Sequence, residues 1–171
     1  MIRAGCVLAL SLCVASCGYH VSGGADLLPK RIHTIAIPAF GNATNNYKLS
    51  ERITAALTRE FISRTRYRIV ADPNQAEAVL TGAVINSLSY STVYDPLTSR
   101  ASGAQVIVIL QVTLTDRSNG AVLFSRPSLE VRERYEISVD ARTYFEESDS
   151  AMERLSRDVA RSVVSAVLEN F

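Results

Sequence analysis

Between Val106 and Leu114 the chain places Val106, Val108, Leu110, Val112 and Leu114 two residues apart, with Gln111, Thr113 and Thr115 between or beside them. A repeat of two cannot lie on one face of a helix, so this segment must be a strand with one buried face. The same alternation recurs after Pro127, where Leu129, Val131, Tyr135, Ile137 and Val139 alternate with Glu130, Arg132, Arg134 and Glu136. Between the two, Asp116 to Gly120 ends in Asn119-Gly120, a step that favours the tight turns of antiparallel hairpins. Upstream, Val79 to Tyr94 is a longer extended segment, with Leu80, Val84, Leu88, Tyr90 and Tyr94 on one parity and Ser87, Ser89 and Ser91 on the other.

Two stretches break this rhythm. Leu49, Ile53, Ala56, Leu57 and Phe61 recur at helical spacing, with Glu51, Arg52, Thr58 and Arg59 on the opposite side, and predict an amphipathic helix ending near Arg64. Met152, Leu155, Val159, Val163 and Val167 predict another, opened by a Ser150-x-x-Glu153 capping box. The first is flanked by two short β-branched runs, Ile32–Ile37 stopped by Pro38 and Tyr67–Val70 broken by Asp72-Pro73. Strand, helix, strand in that order predicts a βαβ-like unit with a parallel pair. The expected fold class is α+β, with two helices on one face of a mixed sheet and a long central hairpin.

That hairpin looks too long for its domain. Fully extended, Val79 to Tyr94 reaches about 50 Å at roughly 3.3 Å per residue, against a diameter near ~40 Å for a compact domain of this size. Either a twist or bulge shortens it, or its polar outer part, rich in Ser, Thr and Tyr, is received by a partner. Protruding strand edges must be paired or capped to avoid aggregation.

The N-terminus constrains location. A short basic start, Met1-Ile2-Arg3, precedes an apolar run from Ala4 to Ala15 that is too short to span a bilayer. It ends in Val14-Ala15-Ser16-Cys17, small residues before a cysteine. This is the lipobox pattern, in which Cys17 becomes the first mature residue and carries acyl chains, palmitate among them. Cys6 lies too near the start, and Leu12 is too bulky beside Cys13. The expected organisation is a lipoprotein signal peptide at 1–16, a lipidated tether at 17–30 and one α+β domain at 31–171. Past the signal no stretch is long and apolar enough to cross a membrane.

All three cysteines lie at or before position 17, so the mature domain can form neither a disulfide nor a thiolate metal site. Acidic and basic residues nearly balance, at 17 and 18, so no global field steers nucleic acid toward the chain. His20 and His33 lack ligand neighbours at helical or hairpin spacing, and no metal is expected. Serine-hydrolase elbow, zincin and phosphate-loop motifs are absent from the sequence. Glu146, Glu147 and Asp149 fit the positive end of a helix dipole, and Glu130 and Glu136 share a face with arginines. No catalytic residue, cofactor or enzymatic activity is expected.

Cys17-Gly18-Tyr19-His20, the Ile35-Ala36-Ile37-Pro38-Ala39-Phe40-Gly41-Asn42 stretch, the Ala76–Gly82 entry to the long strand and the order of elements together resemble the LPS-assembly lipoprotein family, LptE. The resemblance implies a two-helix domain on a mixed four-stranded sheet, acting as a non-enzymatic outer-membrane lipoprotein. It further implies that the domain plugs and assists assembly of an LptD-type β-barrel, facing the periplasm and the barrel lumen. There it helps deliver lipopolysaccharide to the outer leaflet. Partners implied are the barrel, lipopolysaccharide and the membrane through the N-terminal lipid, with no nucleic acid. Arg100, in the loop between the long strands, and Arg117, in the following turn, are lipid-binding candidates by placement. The alternative is an auxiliary lipoprotein of a phospholipid-transport or curli-type secretion system.

Overall fold

A computed structural model describes residues 28–97, 99–137 and 141–169. Residues 1–27, with the expected signal and Cys17, lie outside the described residues, as do Thr98 and Val139. The elements run β1 (Thr34–Ala36), β2 (Gly41–Asn42), α1 (Tyr47–Arg64), β3 (Arg68–Val70), a 3₁₀ turn (Pro73–Gln75), β4 (Ala78–Tyr94), β5 (Ala101–Asp116), β6 (Val122–Glu136) and α2 (Ala141–Glu169).

They form one mixed sheet in the order β3-β1-β4-β5-β6, with β2 also lying along β4. β1 runs parallel to β3 and to β4, and β2 parallel to β4, while β4, β5 and β6 form an antiparallel meander. Among the described residues the sheet therefore has six strands and not the expected four. The strand hardest to foresee is β2. Gly41-Asn42 has turn composition, yet Ala43 N donates to Val84 O at 2.9 Å and draws the segment alongside β4. The parallel β1–β3 pair flanking α1 is as expected.

Leu49, Ile53, Ala56, Leu57 and Phe61 of α1 are buried, as their spacing requires. On α2 the buried stripe is Ala151, Leu155, Val159, Ala160, Val163, Val164 and Val167. Each fully buried Leu or Val contributes about 1.5–3 kcal/mol of transfer free energy. Arg52 pairs with Asp149 at 2.8 Å, Arg59 with Glu153 at 3.4 Å, and Arg64 Nη1 donates to Ser165 Oγ at 2.9 Å. Because these partners rise together in number, the two helices lie side by side and point the same way.

α2 begins at Ala141, upstream of the start predicted from Ser150-x-x-Glu153. Ser150 is inside the helix, where its Oγ accepts from Arg154 Nη1 at 3.0 Å instead of capping backbone amides. At 1.5 Å per residue, 29 residues make a helix about 43 Å long. The longer helix runs beneath the meander, and Arg154 Nε fastens it to Glu133 Oε1 of β6 at 2.6 Å. Consequently every second residue of β5 from Ala104 to Asp116 is buried, so the overhang argued from strand length does not apply to β5.

The β6 strand starts at Val122, ahead of the expected start after Pro127. Leu110 pairs with Leu129 and Val112 with Arg126, leaving Pro127 and Ser128 opposite Gln111 alone. A bulge on an edge strand is where a residue without an N–H is tolerated.

Candidate interaction surface

The surface that breaks the sequence pattern begins at Ile85. Val84 pairs with Leu110 and Asn86 with Ile109, so Ile85 is an unpaired bulge residue. Before it, even-numbered Ala78, Leu80 and Val84 point into the core and are fully buried. After it, Ser87 and Ser89 stand opposite Val108 and Val106, on the helix side. Leu88 and Tyr90 stand opposite Ile107 and Gln105, on the face that carries no helix among the described residues. The parity shared by Leu80, Val84, Leu88 and Tyr90 thus spans two faces.

The consequence is an apolar lane on the open sheet face. Ile85 is 45 % exposed, Leu88 51 %, Tyr90 47 % and Val93 56 %. Ile107 and Ile109 of β5, half-buried, line its centre. Val93 belongs to the same lane, since its Cβ lies 3.2 Å from where a side chain on Gly103 would begin. Tyr90 Oη donates to Gln105 Oε1 at 3.2 Å, tying its ring to β5. Beside it, the open face of β6 carries Glu130, Arg132, Arg134 and Glu136 opposite Ile109, Ile107, Gln105 and Gly103. Glu130 and Arg132 form an ion pair.

β2 ends at Asn42, opposite Val84. Among the described residues, β4 pairs from Ile85 onward with β5 alone, which leaves its other edge open there. Bulge, open edge and apolar exposure all start at the same residue.

The hairpin tip is organised by Asp95. Its Oδ1 accepts from Leu97 N at 2.9 Å, its carbonyl accepts from Ser99 N at 2.8 Å, and its own N–H donates to Arg100 O at 2.8 Å. Ser99 takes a positive φ of 55°, uncommon for a residue other than glycine. The tight turn turns Leu97 outward, 92 % exposed, near Arg100.

Arg100 and Arg117 occupy opposite ends of the sheet, and no single ligand headgroup can touch both. The register places Tyr94 beside Ala101 and Ala78 beside Asp116, separating the two by a strand about 50 Å long. Arg117 also has structural partners: Nη1 donates to Ala76 O at 3.1 Å and Nη2 to Asn74 Oδ1 at 3.4 Å.

Among the described residues three carboxylates hold lowered pKa values, each through structural bonds. At Asp116 the Ser118 hydroxyl is the main cause, opposed by burial and reinforced by the Ser118 N–H and Arg31. At Glu77 burial pushes upward, but amide donors of Thr34, Glu77 and His33 outweigh it. At Asp149 the hydrogen bond and charge of Arg52 dominate. Among the described residues no three His, Cys, Asp or Glu side chains gather as a metal site. No helix among them is long and apolar enough to cross a membrane, which says nothing of strands.

The stretch from Ile35 to Asn42 ties β1 and β2 to β4 and α1. Ile35 and Ile37 are buried in the core. Phe40 lies over Gly82 of β4, and its N–H donates to Thr54 Oγ1 of α1 at 3.1 Å. Asn42 Oδ1 accepts from Thr44 N and Thr44 Oγ1, at 2.9 and 2.8 Å, shaping the entry to α1.

A model of the lipopolysaccharide-assembly family LptE matches residues 32–167. Among solved structures, an uncharacterized lipoprotein B from Nitrosomonas europaea is 12 % identical with a TM-score of 0.55, covering 82 % of this chain and 84 % of its own. Rare lipoprotein B from Shewanella oneidensis is 13 % identical with a TM-score of 0.53, over 80 % of this chain and 96 % of its own. A PelC dodecamer from Paraburkholderia phytofirmans is 17 % identical with a TM-score of 0.50, over 80 % and 88 %. At such identities the structures share a fold, and a fold alone does not choose among their roles. No curated protein sequence matches the chain significantly.

Proposed function

Since the chain belongs to the LptE lipopolysaccharide-assembly family, we propose that it is a non-enzymatic subunit of an outer-membrane lipopolysaccharide translocon. In this reading residues 1–16 direct export, Cys17 carries the lipid anchor on a tether to residue 30, and the domain at 31–171 occupies the lumen of an LptD-type barrel. The observation that carries the proposal is the apolar lane from Ile85 to Val93, ending in an amphipathic tip. Burying that lane against a barrel wall or a lipid acyl region removes a row of aliphatic and aromatic side chains from water, at about 25 cal/mol per Å². An open β4 edge left unpaired in solution is an aggregation liability, and enclosure in a barrel removes it. Arg100, next to Leu97, is placed to meet an anionic headgroup, where charge-assisted hydrogen bonds gain strength once water is excluded.

The test is copurification from detergent-solubilised outer membrane. A chain carrying Leu88→Ser and Val93→Ser, with the tip between Tyr94 and Gly103 shortened, should remain folded and lose its barrel partner. Retention of the partner by that folded variant would remove the lane from the interface. Cys17→Ala should abolish fatty-acid labelling, and labelling that persists at Cys6 or Cys13 would displace the anchor.

A further inference from the structure

The opposite end of the sheet from the tip, where the chain enters from its N-terminal segment, holds a second surface. Residues entering β1 and residues entering β3 enclose a pocket of about 290 Å³. Leu28 and Ile32, both buried, form an apolar floor, and Lys30, His33, Arg66 and Tyr67 form the wall. Arg68 lies exposed on the adjoining edge strand. The carboxylates of this end are engaged elsewhere. Asp116 is held by Arg31 and Ser118, Glu77 accepts from Thr34 N at 2.6 Å, and Asp72 accepts from Asn74 N at 2.9 Å. Lys30, Arg66 and Arg68 therefore have no ion-pair partner among the described residues. In a chain whose formal net charge is only +1, that is a local concentration of positive charge.

We infer that this pocket receives the phosphate headgroup of an anionic phospholipid in the leaflet that holds the anchor. Cations over an apolar floor match an amphiphile, with phosphate oxygens on Lys30 and Arg66 and the first acyl methylenes on Leu28 and Ile32. A guanidinium and an ammonium together satisfy more phosphate oxygens than either does alone. The inference rests on the proposed anchor at Cys17. The residues from Cys17 to Leu28 can extend at most about 40 Å, so the base of the domain cannot stray far from the membrane surface. Headgroup contacts there fix which way the domain faces.

The lipidated chain in detergent is titrated with short-chain phosphatidylglycerol, with its phosphatidylcholine counterpart and with inorganic phosphate, while amide signals are followed. Phosphatidylglycerol should perturb residues 28–34 and 65–68 saturably, and the other two should bind about ten-fold more weakly or less. Lys30→Glu with Arg66→Glu should lose that binding at unchanged melting temperature, whereas Arg100→Glu should keep it. The inference is overturned by equal binding of phosphatidylcholine, by equal binding of free phosphate, or by shifts confined to residues 94–103. It is also overturned by a pocket already protected without lipid, which would make residues 17–27 its occupant. Mass spectrometry of Cys17 is read separately. A missing acyl group removes the anchor, while the titration still reports on the pocket.

Discussion

Gly82 and Phe40 show how one missing Cβ shapes the centre of the fold. A Cβ at Gly82 would stand 2.3 Å from Phe40 Cε2 and 2.8 Å from Gln111 O. Gly82→Ala is therefore expected to destabilise by about 1–3 kcal/mol, the usual cost of overpacking, read from the urea midpoint. In a Phe40→Ala background the penalty should shrink, because contacting residues couple. It should not vanish, since Gln111 O is backbone. Asp116 sets the acid limit of the same region. Its folded pKa is depressed, so its contribution is present above the unfolded value of about 4 and is lost as pH falls below that. Thermal melts of Asp116→Asn should fall less steeply than wild type between pH 5 and pH 3, because the substituted amide keeps the Ser118 acceptor without the charge. Arg117→Glu should cost about 0.5–1.5 kcal/mol in the same assay through its bond to Ala76 O.

At the scale of elements, β4 holds two strands' worth of behaviour in one run of residues. Leu80→Ser should cost at least the ~2–5 kcal/mol of a core truncation, whereas Leu88→Ser should stay within about 0.5 kcal/mol. Both sit on the same sequence parity. Equal losses at the two positions would mean that the Ile85 bulge is misplaced. The comparison also explains what the sequence could reveal. α1 and β5 were legible because their periodicity is local and uninterrupted. The bulge was not, because it is imposed by the register of β5, and nothing in Val84-Ile85-Asn86 announces it. β2 was hidden by turn composition, and α2's start by Ser150 and Glu153, which imitate a cap from within a helix. The tip was readable by its turn residues, whereas the lipobox at Cys17 lies outside the described residues. The apolar lane was missed because Leu88 and Tyr90 fit an unbroken core stripe equally well.

Over the whole molecule, stability should decline from base to tip. Amide exchange is expected to be slowest in residues 78–84 of β4, which has neighbours on both edges, and faster in alternate residues beyond Ile85, where one edge faces solvent. Melting should be insensitive to chelators and to reductants, because the three cysteines all precede residue 18. A chelator-dependent transition would reveal a ligand set involving residues outside those described. Under the proposed function, the bulge at Ile85 also divides the pressures on this strand. Up to Val84, tolerated substitutions are those that let the domain fold, and a screen for protein abundance would find even positions intolerant. Beyond it the same screen should fall silent at Leu88 and Tyr90, while a screen for outer-membrane integrity should not. One residue therefore marks where selection on the chain for itself gives way to selection for what it touches.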